Sequence, residues 1–263
     1  MRAADPSEEL ERLLDARTTA HRLAASPMSS LGELEDWLAG LRIALVSGRS
    51  ALPSAAEAIA GCPIEGSWWG HPEGSRIYRL LNELEGGASG YADLALVEGK
   101  RTLLAASLLP VAAALAADAG RRRRVIEGLR APARRLLDAL ASGRVVRSDD
   151  HDDLGKDARS ARRALEAGLL ARSRSIHTAS GRHVSLLEPY GDDGSPGAAT
   201  VAAEPLSELL AAGLSACVVA ERREIDGWFR FVEPDAKRRS DALDHLATRT
   251  LARDGRIWLT SRQ

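Results

Sequence analysis

Apolar residues recur every three to four positions along most of the chain, a spacing typical of amphipathic helices. The clearest stripe follows Ser30, the expected cap of its helix, and consists of Leu34, Trp37, Leu38, Leu41 and Leu45. A short second helix is expected to begin at Ser148-Asp149-Asp150. The other predicted helices are Glu8–Ala24, Pro53–Ala60, Pro72–Leu84, Leu108–Ala119, Ala133–Ser142, Lys156–Leu170, Pro205–Val219, Arg223–Phe231 and Asp235–Leu251.

Short β-like runs interrupt the helical pattern at three places. Tyr91–Val97 and Lys100–Ala105 flank Glu98-Gly99, a typical hairpin turn. Ala171–Thr178 and His183–Glu188 form a second expected hairpin, and Ile257–Thr260 is predicted as an edge strand. The sequence therefore predicts a mainly α protein with small β-hairpins (α+β).

Helices followed by β-structure recur three times, with a hairpin in the first two copies and a single strand in the third. This is the order of elements in a winged helix. We therefore predict tandem winged-helix modules at residues 31–107, 108–190 and 200–263, called the first, second and third sets below. An N-terminal helix occupies residues 1–30. Residues 191–199, rich in Gly and Asp, form the predicted linker between the second and third sets.

Composition places the protein among helical, intracellular proteins. Of the 263 residues 44% are hydrophobic but only 4% are aromatic, which favours close-packed helices. Pro110 and Asp118 break the apolar run around 103–117, so no membrane partner is expected. Cys62 and Cys217 are too far apart for metal spacing and fit reduced thiols in the cytoplasm. No cofactor is expected.

Positive charge is concentrated in the second set, although the whole chain has a net charge of −1. Residues 121–190 contain 16 Lys and Arg against 9 Asp and Glu, a surplus of seven. Neutralisation of phosphates dominates nucleic-acid affinity, so this local surplus predicts double-stranded DNA as the partner.

The predicted helix Lys156–Leu170 separates apolar from basic residues. Its apolar stripe would pack against the module, and the opposite stripe would face DNA as a recognition helix. An ordinary amphipathic surface helix is the alternative. The candidate DNA contacts are Lys156, Arg159, Ser160, Arg162 and Arg163.

The hairpin after this helix adds further cations that could reach a groove or the phosphate backbone, namely Arg172, Arg174, His177, Arg182 and His183. These charges could instead only keep an edge strand from pairing.

The run Arg121-Arg122-Arg123-Arg124 could contact phosphates, but a solvated helix end is slightly favoured. The acidic stretch 149–153 is interpreted as a helix start, and no metal site is predicted.

The string Gly66-Ser67-Trp68-Trp69-Gly70-His71-Pro72 is the most unusual in the chain. Trp68 and Trp69 could stack on an exposed base, although packing in the core is favoured. Glu65, His71 and Glu73 are the weak candidates for acid–base chemistry.

Several of these segments resemble the helix-turn-helix DNA glycosylases of the AlkZ type, and above all uncharacterised proteins related to them. The resemblance covers most of residues 31–263. It rests on the repeated element order and on Gly66–Tyr78, Leu108-Leu109-Pro110, Ala164-Leu165-Glu166, Ile176-His177-Thr178 and Gly181-Arg182-His183. It implies tandem winged helices and excision of alkylated or crosslinked bases.

The chain departs from this family where the chemistry occurs. The family uses a Gln-x-Gln or Gln-x-Asp pair to position water, whereas the single glutamine here is Gln263. We therefore expect a DNA-binding protein linked to repair that lacks the usual catalytic pair. The alternatives are a glycosylase with substitute catalytic residues, and a protein-interaction scaffold or transcriptional regulator.

Overall fold

One order of elements repeats along the chain: a helix, a short strand, one or more helices, and a two-stranded hairpin. A computed structural model describes residues 6–86, 90–147, 157–177, 183–190 and 204–261. The predicted linker at 191–199 and the predicted short helix at 148–150 lie outside these residues. Among the described residues no helix combines the length and apolar character needed to cross a bilayer.

The three sets have the following bounds. The first contains α2 (Leu31–Leu41), β1 (Ile43–Leu45), α3 (Ala55–Ala60), α4 (Gly74–Gly86), β2 (Tyr91–Val97) and β3 (Lys100–Ala105). α1 (Pro6–Ala20) precedes it. The second begins with α5 (Leu109–Ala117) and α6 (Ala119–Glu127). It continues with α7 (Ala131–Ala141), β4 (Val146–Arg147), α8 (Ala158–Ala167), β5 (Ala171–His177) and β6 (His183–Pro189). The third contains α9 (Pro205–Cys217), β7 (Ala220–Glu221), α10 (Arg222–Trp228), α11 (Ala236–Asp244), β8 (Thr248–Arg253) and β9 (Arg256–Ser261).

Each set contributes one antiparallel sheet of three strands. The orders are β1-β3-β2, β4-β6-β5 and β7-β9-β8, so the last strand of every set lies in the middle. The prediction of an edge strand at Ile257–Thr260 was wrong, because β9 pairs with both β7 and β8. The three short strands β1, β4 and β7 were not predicted, since two or three residues carry too little alternation to be recognised.

Local signals fixed the start of α2 but not its end. Ser30 caps the helix as predicted, and its Oγ accepts a hydrogen bond from the Glu33 amide at 3.3 Å. The predicted continuation of the stripe to Leu45 was wrong. The helix ends at Leu41, Arg42 has a left-handed φ of 67°, and Leu45 pairs with Thr102 in the sheet.

The predicted helix at Asp235–Leu251 also ran too far. α11 ends at Asp244, and Thr248–Arg253 forms β8 on the edge of the third sheet. Thr248 and Thr250 have the β-branched side chains that favour strands, and only Leu251 of this strand is buried.

The first sheet lies between two apolar layers. Ala44 and Val46 pack with α2, α3 and α4, whereas Ile43 and Leu45 pack with α5 and α9. This alternation follows from the two-residue period of a strand. The first and third sets thus share one hydrophobic core, while α7, α8 and their hairpin enclose a separate one.

Candidate nucleic-acid interface

Helix α8 is held by an apolar face, as the sequence predicted. Ala161 and Leu165 are buried against Leu136 and Leu140 of α7. Leu165 is completely inaccessible to solvent. The periodicity of the buried positions leaves the opposite side of the helix to the basic residues.

The exposed face of α8 carries Arg159, Ser160 and Arg163. Within the part of the chain that the structure describes, neither Arg159 nor Arg163 has a hydrogen-bond or ion-pair partner. The Ser160 hydroxyl donates to the carbonyl oxygen of Asp157 at 2.9 Å. Lys156 lies outside the described residues. Two arginines one helical turn apart are therefore available for an anionic partner.

Arg162 points to its own module rather than into solvent. Its Nη2 donates to the Ser173 hydroxyl at 3.2 Å and to the carbonyl oxygen and hydroxyl of Ser185 at 3.3 and 3.2 Å. The Ser173 hydroxyl in turn donates to the carboxylate of Glu166. Arg162, predicted as a DNA contact, thus joins α8 to both strands of its hairpin.

The two hairpin arginines face a carboxylate. Arg174 Nε and Nη2 lie 3.0 and 2.8 Å from Oε1 of Glu188, and Arg172 Nη2 lies 3.8 Å from its Oε2. One Glu188 therefore offsets part of the charge of both arginines. His177 and His183 are paired in register at the end of the hairpin. Arg182 lies outside the described residues.

The run Arg121–Arg124 lies in the middle of α6, and Asp118 caps this helix by accepting a hydrogen bond from the Arg121 amide. Arg121 is completely buried, and Arg124 donates to Glu233 from Nε at 3.0 Å and from Nη2 at 2.5 Å. The prediction of a solvated helix end was wrong for both residues, because the third set packs over this part of α6. Arg123 is exposed.

The C-terminal end of α8 abuts the first set. Helix α8 contacts β2, and a Cβ built on Gly99 would lie 3.5 Å from the Cβ of Ala167. On β2, burial raises the pKa of the Asp93 carboxyl group, although the charge of Arg101 opposes this shift. Because this end is covered, the exposed residues of α8 all lie within its first six positions.

Trp68 and Trp69 form a stacked pair ahead of α4. Their ring centroids are 4.2 Å apart at an angle of 21°, and Tyr78 lies 5.4 Å from Trp69. Trp68 packs against the core of the first set, while Trp69 is exposed. The expectation of core packing thus describes Trp68 only. Tyr78 was not predicted as a site residue, because it falls on the polar side of the helical pattern of α4.

Both ring nitrogens of His71 have partners. Nδ1 accepts a hydrogen bond from the Glu73 amide at 3.2 Å, and Nε2 lies 3.8 Å from the sulfur of Cys62. The Glu73 carboxylate is 3.0 Å from Arg76, and Glu65 is exposed. The contacts of His71 hold the turn between the tryptophans and α4.

Comparisons of the chain with protein-family models, with curated proteins and with solved structures found no match.

Proposed function

We propose that each set is a winged helix and that the protein binds double-stranded DNA through α8. The support for the fold is the recurrence of helix, strand, helices and hairpin with the last strand in the middle of each sheet. The observation that carries the function is the exposed pair Arg159 and Arg163 on an otherwise anchored helix, for which the described residues provide no carboxylate partner.

The exposed residues of α8 suit entry into the major groove. Recognition helices contact base edges through residues towards their N-terminal end. Both exposed arginines lie within the first six residues of α8, away from Ala167, which faces the first set. Arg159 and Arg163 could bridge guanine O6 and N7 or bind phosphates. Ser160 adds a hydroxyl between them.

Other arginines of the second set supply the phosphate contacts. Arg123 of α6, Arg130 before α7 and Arg135 on α7 are all exposed, and none forms an ion pair with a residue that the structure describes. Such contacts strengthen binding without regard to sequence. Arg162, Arg172 and Arg174 act differently, since their bonds hold the hairpin in place.

The proposed role is binding without catalysis. The resemblance to AlkZ-type glycosylases supports a link to DNA repair, and the missing glutamine pair argues against the family's own water-activating chemistry. The occupied ring nitrogens of His71 argue against that residue as a substitute base.

The test is fluorescence anisotropy of a labelled duplex at several salt concentrations. The variant Arg159→Ala/Arg163→Ala is expected to bind at least about tenfold more weakly, and the slope of log K against log salt should shrink by about two. The control is Arg79→Ala/Lys237→Ala, which removes two cations already paired with carboxylates on helices of the other sets. Equal affinities for the two double variants would reject the proposal.

A further inference from the structure

The first set exposes an aromatic surface, formed by Trp68, Trp69 and Tyr78 and called the aromatic shelf below. Trp69 is 66% exposed and Tyr78 is 47% exposed, values that are unusual for such large rings. The stacked Trp68 supports Trp69 from the side of the core. An open aromatic ring with a rigid ring beneath it is suited to stacking on another planar group.

The shelf is held in place by the backbone around it. A Cβ on Gly74 would lie 2.9 Å from the carbonyl oxygen of Trp68 and 3.3 Å from that of Trp69. The tryptophan turn therefore lies directly against the first turn of α4. The Gly74 amide also donates to the His71 carbonyl oxygen at 2.8 Å. This packing orients the shelf before any ligand arrives, which lowers the entropic cost of binding.

Tyr78 occupies the position that Arg159 has in the second set. Both α4 and α8 precede the hairpin of their set, and their buried residues have the same spacing: Leu80 and Leu84 in α4, Ala161 and Leu165 in α8. Tyr78 lies two residues before Leu80, and Arg159 lies two residues before Ala161. Both Tyr78 and Arg159 are exposed. The equivalent face is thus aromatic in the first set and basic in the second.

The size of the shelf fits a single ring better than a protein surface. Of the large exposed hydrophobic residues in the described part of the chain, only Trp69 and Tyr78 belong to the first set; the others are Val145, Phe231 and Ile257. A stable protein interface covers about 800 Å² on each partner, far more than two rings offer. A nucleobase needs no more than one open aromatic face.

The charges beside the shelf are already balanced. Arg76 lies 3.0 Å from Glu73, and Arg79 lies 3.1 Å from Glu83 on the same helix. The shelf therefore contributes stacking rather than charge, and neutralisation of phosphates falls to the second set.

We propose that the aromatic shelf stacks an unpaired nucleobase, so that the preferred ligand is a duplex containing a bulged or otherwise unpaired base. This inference rests on the proposed DNA binding through α8. The second set supplies affinity for any duplex, and Trp69 and Tyr78 supply the preference for an unpaired base.

The experiment compares a matched labelled duplex with the same duplex carrying one bulged adenine. The wild-type chain is expected to bind the bulged duplex about tenfold more tightly, the size of one base–aromatic stacking contact. Trp69→Ala/Tyr78→Ala should lose this preference and keep its affinity for the matched duplex. Trp69→Phe should retain part of it. Ile257→Ala, an exposed apolar residue of the third set, is the matched control.

A second readout follows the base itself. With 2-aminopurine as the bulged base, binding of the wild type should quench its emission, whereas Trp69→Ala should not. Wild type without a preference, or a preference that persists in the double variant, overturns the inference and leaves the shelf to a protein contact. If the wild-type chain bound neither duplex, the proposed function would be rejected as well. If binding depended on Arg159 and Arg163 but the bulged duplex gained nothing from Trp69 and Tyr78, only the inference about the shelf would be rejected.

Discussion

Arg121 Nη1 donates a hydrogen bond to the carbonyl oxygen of Gly168, 47 residues away, at 2.8 Å. The same nitrogen lies 2.8 Å from the carbonyl oxygen of Val232. One completely buried side chain of α6 therefore joins the end of α8 to the third set. Burial lowers the pKa of Arg121 to about 10, so the guanidinium remains charged at neutral pH.

Replacement of Arg121 should destabilise the protein strongly. Arg121→Ala leaves two buried carbonyl oxygens without a donor and creates a cavity, so the free energy of unfolding should fall by about 3 kcal/mol. Arg123→Ala, two residues along the same helix but exposed, should change it by less than about 0.5 kcal/mol. Urea unfolding measures both, and equal losses would contradict a joining role for Arg121.

Release of a hairpin arginine should strengthen DNA binding. Glu188→Gln removes the carboxylate that Arg174 contacts through two nitrogens, so this cation becomes available to phosphates. Affinity for a matched duplex should rise, and the salt slope should steepen by about one. Glu127→Gln removes an exposed negative charge elsewhere in the second set and is the control. An identical gain in both variants would point to net charge alone.

Acid should weaken the attachment of α1 to the third set. His21 is buried, and its Nε2 lies 3.1 Å from the carbonyl oxygen of Ala216. Burial lowers the pKa of His21 from 6.5 to about 4, so the unfolded chain takes up the proton first. The stability that comes from the neutral imidazole is present above pH 6.5 and is lost as the pH falls towards 4.

The measurement is urea unfolding of wild type and His21→Gln at pH 7 and pH 5. The wild type should lose about 2 kcal/mol more than the variant between these pH values. His245→Gln alters an exposed histidine and should show the wild-type dependence. If the free energy of unfolding fell equally with pH in the wild type and in His21→Gln, His21 would not be the source of the acid sensitivity.

Two helical glycines should respond to alanine in opposite directions. A Cβ on Gly213 would lie 2.8 Å from Cζ3 of the buried Trp228, whereas a Cβ on Gly40 meets nothing within 4 Å. Gly213→Ala should therefore cost about 1–3 kcal/mol through overpacking. Gly40→Ala should stabilise α2 by up to about 1 kcal/mol, since alanine favours the helix. Thermal melts compare the melting temperature of each variant with that of the wild type. Lower melting temperatures in both variants would contradict the prediction.

The sequence predicted the elements that depend on local chemistry. Ser30 caps α2 as predicted, and α3 ends at Ala60, the predicted end of that helix. The hairpin strands β2 and β3 match the predicted runs to the residue. These features depend on interactions within a few residues, which a local pattern contains.

The candidate site was predicted only in part. The periodicity of α8 separated Arg159 and Arg163 from the buried face, and both are exposed. It did not separate Arg162 from them, because the bonds to Ser173 and Ser185 come from strands more than ten residues away. The carboxylate opposite Arg174 likewise lies on the other strand of the hairpin.

The sequence by itself determined most of the helices, the hairpins of the first and second sets, and the concentration of positive charge in the second set. Tertiary structure alone decided that Leu45 joins a strand, that β9 is central, and that Arg121 is buried while Arg123 is not. The physical reason is the range of the interactions. Capping and amphipathic spacing act within one or two helical turns, whereas strand pairing and the burial of a charge depend on segments that only the folded chain brings together.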